Sequence, residues 1–446
     1  MTPTPVIAIF DIGKTNKKYF LFNEQYKIVF ERSVKFNETK DDDGFACDDV
    51  KELRKWVEKG IQEILNLAQF EVRALNFSAY GASFVHIDTK GEPVGPLYNY
   101  LKPYPKILLD KFYKTYGGEL LVSVATASPV LGNLNSGMQL YWLKYTKGSL
   151  FGRIQYSMHL PQYISFLVTG KAQSEITSLG CHTGLWDFVK NDYHQWVKAE
   201  GITDKLPPIS PSDEVTEVIV NRKMVKVGPG LHDSSSALIP YRAGFKEPFV
   251  LISTGTWCIS FNPFNKEPLT EEELQEGCVY YIGYDGEPVK ASRLFSGNQH
   301  EQALEKLASH FNMTFDAYRD VTFNPALINH HSISSFSSRE LNSFRSYNEA
   351  YHHLMYEIIE QQKKATTLIL SNQKVSRIFV DGGFSKNTIY MQLLAAAFAD
   401  MEVYAASISQ ASAIGAAMAI HAHWNKEPLW GNTMELTYYK PEMANL

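Results

Sequence analysis

The chain has 446 residues, of which 44% are hydrophobic, 13% aromatic and 20% charged; at roughly 150 residues per domain this is too long for one small module and too rich in core-forming side chains for disorder. Forty-three Lys and Arg against 48 Asp and Glu leave a formal net charge of −5, without the cationic excess that neutralising a phosphodiester backbone needs, which argues against nucleic acid as a partner. Four cysteines, Cys47, Cys181, Cys258 and Cys278, lie far apart with no CxxC pair, so a disulfide framework or a structural zinc site is not expected and a reducing cytoplasm fits.

The chain opens MTPTPVIAIFDIG, without a basic region followed by a long apolar stretch, and no secretory signal is expected. Val6 to Asp11 is an apolar, β-branched run ending in a glycine-containing turn. Tyr19 to Phe22 and Ile28 to Val34 follow as strands, giving a meander. Val50, Leu53, Val57, Ile61, Ile64 and Ala68 recur at helical spacing, placing one apolar stripe on a helix whose start is marked by Asp48 and Asp49. Val72 to Ser78 reads as the next strand. Two further helical stripes are Leu134, Met138, Tyr141 and Tyr145, then Leu160, Ile164, Leu167 and Val168, the latter opened by Pro161 and closed by Gly170. Leu206 to Pro211 is a turn-rich connector.

At Phe249 the opening pattern returns. FVLISTGTWCISF is strand, turn of small residues, strand, as VIAIFDIGKTNKKYFLF is, with Gly13 and Gly255 in equivalent places. This suggests a domain-scale duplication, with a division into residues 1–242 and 243–446. Helices are expected around His300 to His310, Glu349 to Leu370 and Asn387 to Asp400, and a strand over Val375 to Asp381 before the Gly382-Gly383 turn. The Ser-rich piece from 329 to 338 reads as a surface loop. Val403 to Asn425 carries no formal charge, but Ser, Gln, Gly and His interrupt it, so a buried loop and helix is the reading rather than a membrane span.

Three turns that each follow a strand carry the chemistry: DIGKTNKK at 11–18, STGTWC at 253–258 and DGGFSKN at 381–387. Glycine lets phosphate oxygens approach the backbone closely and supplies positive φ where a turn needs it. Neither a Walker A loop nor a GxGxxG is present. Each turn alone is equally a plain strand connection; all three together point to a nucleotide cleft. Asp11 ends the first strand, where α/β folds place ligands, and suits a hydrated Mg²⁺, although it could also merely cap the turn. Lys14, Lys17 and Lys18 could face phosphate or water, and alternation lets only one of Lys17 and Lys18 point inward. Asp233, in GLHDSSSA, lies near the end of the first half, where a cleft between halves would set it opposite the nucleotide turns. Phosphoryl transfer to an alcohol needs such a carboxylate to orient the hydroxyl and accept its proton. A helix N-cap is the alternative. The pairs His330-His331 and His352-His353, and His421 with His423, have the wrong spacing for metal ligands, and Cys181-His182 is read as structural rather than as nucleophile and base.

These segments resemble a family. Asp11-Ile12-Gly13-Lys14-Thr15-Asn16, Gly230-Leu231-His232-Asp233, Ser253-Thr254-Gly255-Thr256 and Gly382-Gly383-Phe384-Ser385-Lys386-Asn387 are similar, in order, to the first phosphate, catalytic-base, second phosphate and adenosine motifs of FGGY carbohydrate kinases. The resemblance implies an α/β fold of two actin-like (ribonuclease-H-like) domains flanking a central cleft. HLPQYISFLVTGKAQSEIT, TGLWD, HDSSSA and STGTWC most resemble the rhamnulokinase and fuculokinase branch. By this resemblance Asp233 is the catalytic base, and Gly81, His232, Asp233 and Ser234 line the sugar site. Gly13, Lys14, Thr15, Asn16, Lys17, Lys18, Gly255 and Thr256 hold the nucleotide phosphates. Gly382, Gly383 and Asn387 take the adenosine side, with Gln302 also on the nucleotide, and Asp11 and Asp233 serve the metal.

The cofactors so implied are ATP and Mg²⁺. The substrate is a deoxyketose such as L-rhamnulose or L-fuculose, with xylulose, ribulose, gluconate and glycerol as alternatives, and a cytoplasmic monomer or homodimer is expected. An actin-like nucleotide-dependent switch without a sugar substrate is the rival reading. The chain departs from the family at three places: Phe384 stands where a third glycine is common, Tyr80-Gly81-Ala82-Ser83 replaces the Trp-Gly-Val-Asp usual in rhamnulokinases, and Gln410 replaces a late Glu.

Overall fold

The computed structural model describes every residue except 1, 329–335, 371, 373, 409, 430–433 and 442–446. The opening meander is present: β1 (Thr4–Ile12), β2 (Lys17–Asn23) and β3 (Ile28–Val34) pair antiparallel in sequence. Val6 to Phe10 are fully buried, as a continuous apolar run covered on both faces requires. Helix α1 (Val50–Leu65) buries the expected stripe of Val50, Leu53, Val57, Ile61 and Ile64. Its cap is Asp49, which accepts from the amides of Lys51 and Glu52 at 2.7 and 3.2 Å. Asp48 is not part of the cap. Strand β4 (Phe70–Ala79) lies parallel to β1, and Phe10, Tyr19, Trp56 and Phe77 pack between sheet and helix with ring centroids 5.1–6.1 Å apart.

Helices α2 (Ser136–Thr146) and α3 (Leu160–Thr169) fall on the two predicted stripes, and α3 ends at Gly170 with φ 67. Strands β5 (Thr216–Val220), β6 (Lys223–Val227) and β7 (Leu231–His232) lead into α4 (Asp233–Gly244). The first sheet runs β5-β6-β4-β1-β2-β3, with β7 also pairing on β4.

The second half repeats the frame with β8 (Phe249–Thr254), β9 (Cys258–Asn262), β10 (Cys278–Ile282) and β11 (Pro288–Leu294). Helices α5 (Ser296–Phe311) and α6 (Tyr347–Leu368) follow, then β12 (Arg377–Gly382), α7 (Thr388–Ala397), β13 (Glu402–Ser407), α8 (Ala411–Ala419) and β14 (Glu435–Tyr439). Its sheet runs β10-β11-β9-β8-β12-β13-β14. In each sheet an antiparallel hairpin is continued by a parallel partner of its first strand, β4 beside β1 and β12 beside β8. The duplication read from the turns is therefore a duplication of topology.

The chain divides into two units, one of Met1–Gly244, Tyr280–Pro288 and Gln410–Thr433, the other of Phe245–Val279, Val289–Ser409 and Met434–Leu446. The first unit is not continuous in sequence: two later segments return to it. The reason is visible at Gly415 of α8: a Cβ there would lie 1.8 Å from the Ser236 carbonyl oxygen of α4, so only glycine lets the two helices pack this closely. The uncharged stretch from 403 to 425 is thus a strand, α8 and a short helix, His421–Trp424. Among the described residues no helix is long and apolar enough to cross a membrane. The Ser-rich loop expected at 329–338 and the pair His330-His331 lie almost wholly outside the described residues.

Candidate active site

Strand register brings the two carboxylates of interest to one edge of the first sheet. Asp11 and Leu231 both lie across from Ser78 of β4, and Asp233, two residues beyond Leu231, is the first residue of α4. Asp233 thus belongs to the same unit as the 13–16 turn. Ser412 of α8 donates to Asp11, its Oγ 3.2 Å from each carboxylate oxygen. Burial and then the negative charge of Asp233 push the Asp11 carboxyl up to about 6, against the pull of the Ser412 hydroxyl and the Lys18 ammonium.

Asp233 Oδ1 accepts from the Ser234 amide at 2.6 Å and from the Ser234 hydroxyl at 3.2 Å. Its side chain still exposes 34% of its surface, so holding the helix start and presenting a carboxylate are compatible. His232 Nε2 lies 3.3 Å from the same oxygen and 3.2 Å from Cys181 Sγ. The histidine that meets Cys181 here is thus 51 positions away, besides its sequence neighbour His182. Burial lowers the pKa of His232 while Asp233 opposes the shift, favouring a neutral imidazole. A Cβ on Gly81 would stand 2.8 Å from the His232 ring; glycine there is what admits the imidazole. Gly81, His232, Asp233 and Ser234 are therefore brought together.

The first turn spans four residues, closed by Gly13 N–H donating to Asn16 O at 2.9 Å. Thr15 and Asn16 are exposed. Lys17 is not: its side chain is 2% exposed, and its ammonium donates to Asp48 Oδ1 and to the Lys14 carbonyl at 2.9 Å each. Its expected place on the phosphates is corrected to one in the core. Lys14 also donates to Asp48, at 2.8 Å, and pairs with Glu38 at 3.2 Å. Lys18, by alternation, lies on the other face, directly across from Asp11 in the β1–β2 register.

In the second unit the two remaining turns line one cavity of about 790 Å³. Gly255 and Thr256 contribute from the first of these, Gly383 and Asn387 from the second. Thr254 joins them. Its hydroxyl donates to the Asp381 carbonyl and accepts from the Phe384 amide at 2.9 Å, while its own carbonyl accepts from Gly383 N–H at 2.9 Å. The turns meet so closely that a Cβ on Gly382, at φ +83, would stand 1.9 Å from Thr254 O, and one on Gly297 would stand 1.8 Å from Gly255 O. Positive φ thus occurs at Gly382 but not at Gly13, Gly255 or Gly383.

Asn387 lines the cavity while capping α7, accepting from the Ile389 and Tyr390 amides and donating to Tyr351 Oη at 2.7 Å. Gln302 is corrected: it is exposed, donates to Asn298 Oδ1 at 2.9 Å and does not line the cavity. Its neighbour Glu301 does, with His300, which burial holds down at about 4. Helical spacing from Gly297 through His300, Glu301 and Leu304 could have found this face. Phe315, Tyr318 and Arg319, which also line it, carry no pattern that marks them in sequence.

Residues 6–239 match the N-terminal domain, and residues 250–423 the C-terminal domain, of the FGGY family of carbohydrate kinases. The chain belongs to the FGGY family of carbohydrate kinases. Among curated FGGY relatives, a rhamnulokinase of Halalkalibacterium halodurans is 23% identical over 260 residues, covering 56% of this chain and 54% of that one. A rhamnulokinase of Mannheimia succiniciproducens is 23% identical over 197 residues, covering 42% and 40%. The chain spans about half the length of the curated relatives it matches. Among solved structures, a carbohydrate kinase from Novosphingobium aromaticivorans superposes with a TM-score of 0.80 at 22% identity, covering 98% of this chain and 95% of that one. A ligand-bound xylulose kinase from Lactobacillus acidophilus does so with 0.80 at 18% identity, covering 98% and 94%. These likenesses show the two-domain, actin-like α/β fold of the FGGY kinases.

Proposed function

We propose that this chain transfers the γ-phosphoryl group of ATP to a hydroxyl of a small sugar. One observation carries the reading: Asp11 and Asp233 stand at one edge of one sheet, near enough for the charge of one to raise the pKa of the other. We assign the sugar site, the base and the first phosphate turn to the first unit, and the second phosphate turn and adenosine turn to the second.

Asp233 orients the sugar hydroxyl and accepts its proton. In a loose transition state that proton leaves late, so placement matters more than basicity, and an ordinary carboxylate suffices. His232, neutral and packed against Gly81, holds the Asp233 carboxylate from one side and faces the sugar. In the first unit Lys18 is assigned to phosphate; in the second, Gly255 and Thr256 are assigned to phosphate and Gly382, Gly383 and Asn387 to the adenosine end. Two carboxylates whose proximity raises the Asp11 pKa form a hard-oxygen donor set that fits a hydrated Mg²⁺. Asp11 would hold it with Asp233, and when bound it would neutralise phosphate charge.

The rhamnulokinase-like segments and the rhamnulokinase relatives favour a deoxyketose such as L-rhamnulose or L-fuculose. Tyr80-Gly81-Ala82-Ser83 offers no carboxylate at that point of the sugar site, so other ketoses, gluconate and glycerol belong in the test. Coupled ADP release is measured with each. Turnover stimulated strongly by one sugar is the expected result; ATP consumption indifferent to every sugar would point to the nucleotide switch instead.

A further inference from the structure

Asp48 lies in none of the motifs that mark the site, yet it is the hub of the first turn. Its side chain is 6% exposed and takes donors on both oxygens: Lys17 Nζ on Oδ1 at 2.9 Å, and Lys14 Nζ and the Tyr80 hydroxyl on Oδ2 at 2.8 Å each. Burial pushes its carboxyl up, but the hydrogen bonds from Lys14, Lys17 and Tyr80 outweigh this and hold it below the usual range. Lys14 and Lys17 bracket the phosphate turn, and Lys17 also fixes the Lys14 carbonyl at 2.9 Å. Tyr80 directly precedes Gly81, which packs on His232.

We propose that Asp48 is a positioning residue: it holds the phosphate turn and the sugar-side end of β4 as one piece, through Lys14 and Lys17 on one side and Tyr80 on the other. The alternation of β2 sends Lys17 inward, where a lone ammonium would be costly, and Asp48 meets it there. The same carboxylate draws Lys14 down across the turn, so the backbone of 13–16 is tethered at two points rather than left to its single 2.9 Å closing bond. This deepens the kinase reading and rests on it, since it assigns the turn to nucleotide.

The test titrates ADP with Mg²⁺ into the full chain, with no sugar present, comparing wild type with Asp48→Asn, Asp48→Glu and Tyr80→Phe. Asp48→Asn is expected to weaken ADP binding about tenfold or more, and Asp48→Glu to restore it to within about threefold. Tyr80→Phe keeps both ion pairs and should fold. It should weaken ADP about two- to threefold and speed amide exchange in the peptide covering 11–20, with no change at 253–258. A folded Asp48→Asn that binds ADP as wild type does, or more tightly because two cations are released to the phosphates, overturns the proposal. If Asp48→Asn does not fold, an unchanged exchange rate at 11–20 in Tyr80→Phe overturns it. Failure of wild type itself to bind ADP strikes the kinase reading instead.

Discussion

The hairpin turn after β1 and the hairpin turn after β8 occupy the same place in the same topology, and they are held in opposite ways. The first is four residues long and secured by charge: Asp48 takes Lys14, Lys17 and Tyr80, and Asp11 stands at its entrance. The second is three residues long and secured by backbone contact: Thr254 bonds Asp381, Gly383 and Phe384, and Gly297 and Gly382 press on the 254–255 carbonyls. A shared frame therefore does not dictate a shared chemistry. The charged turn has carboxylates at its edge, Asp11 and Asp48, whereas the uncharged one offers backbone N–H groups and hydroxyls.

If charge governs the first turn and close packing the second, Asp233→Asn should have the largest effect. It should fold with a melting temperature no lower than that of wild type and lose about 10²–10⁴-fold in turnover, read by coupled ADP release; full activity would remove the base. Next comes glycine. Gly297→Ala puts a methyl 1.8 Å from Gly255 O, which must displace backbone, and about 1–3 kcal/mol of stability with most ADP affinity should be lost. Gly255→Ala, whose Cβ meets nothing nearer than 3.8 Å, should change the melting temperature hardly at all. Comparable damage from both would break the contrast.

A smaller effect is titration. The Asp11 carboxyl is raised to about 6 in the fold from 3.8, so the folded state binds its proton more tightly. The stability this contributes is complete below 3.8 and is lost as pH rises through 6. Carbon-detected NMR of labelled aspartate should show that midpoint, and Asp233→Asn should lower it by removing the like charge. Mg²⁺ held by Asp11, as proposed, would have to displace that proton, so its affinity should fall as pH drops below 6. Least is expected of Lys18→Met: about a three- to tenfold rise in KM for ATP with kcat little changed, and a further upward shift of Asp11.

The strands, the turns and the helical stripes were legible because each is written in neighbouring residues, as with Val50 to Ile64 or Pro161 to Gly170. The four motif segments were legible as turns and helix starts, because glycine, Asp and small hydroxyl residues at strand ends are the ordinary turn and cap formers; their combination and order, not any one of them, carried the resemblance to the family. The rest depends on partners distant in sequence. Nothing near Lys17 reveals that Asp48 awaits it inside the fold, and a strand pattern says only that Lys17 and Lys18 diverge. Cys181 invites pairing with His182, yet it also meets His232. The return of α8 to the first unit turns on Gly415 meeting Ser236 across 179 positions, a fit of shapes that no local pattern encodes, and the Phe315–Arg319 wall of the cavity is likewise assembled only by packing.

The buried union of Lys17 with Asp48 also restricts how this protein can diverge. The two partners are not equally dependent: without Lys17, Asp48 keeps Lys14 and Tyr80, whereas without Asp48 the buried Lys17 ammonium keeps the neutral Lys14 carbonyl in place of a counter-charge. The order of change is therefore constrained: substitution at 17 can come first, because Lys14 and Tyr80 still satisfy Asp48, while substitution at 48 first leaves a buried cation without its counter-charge.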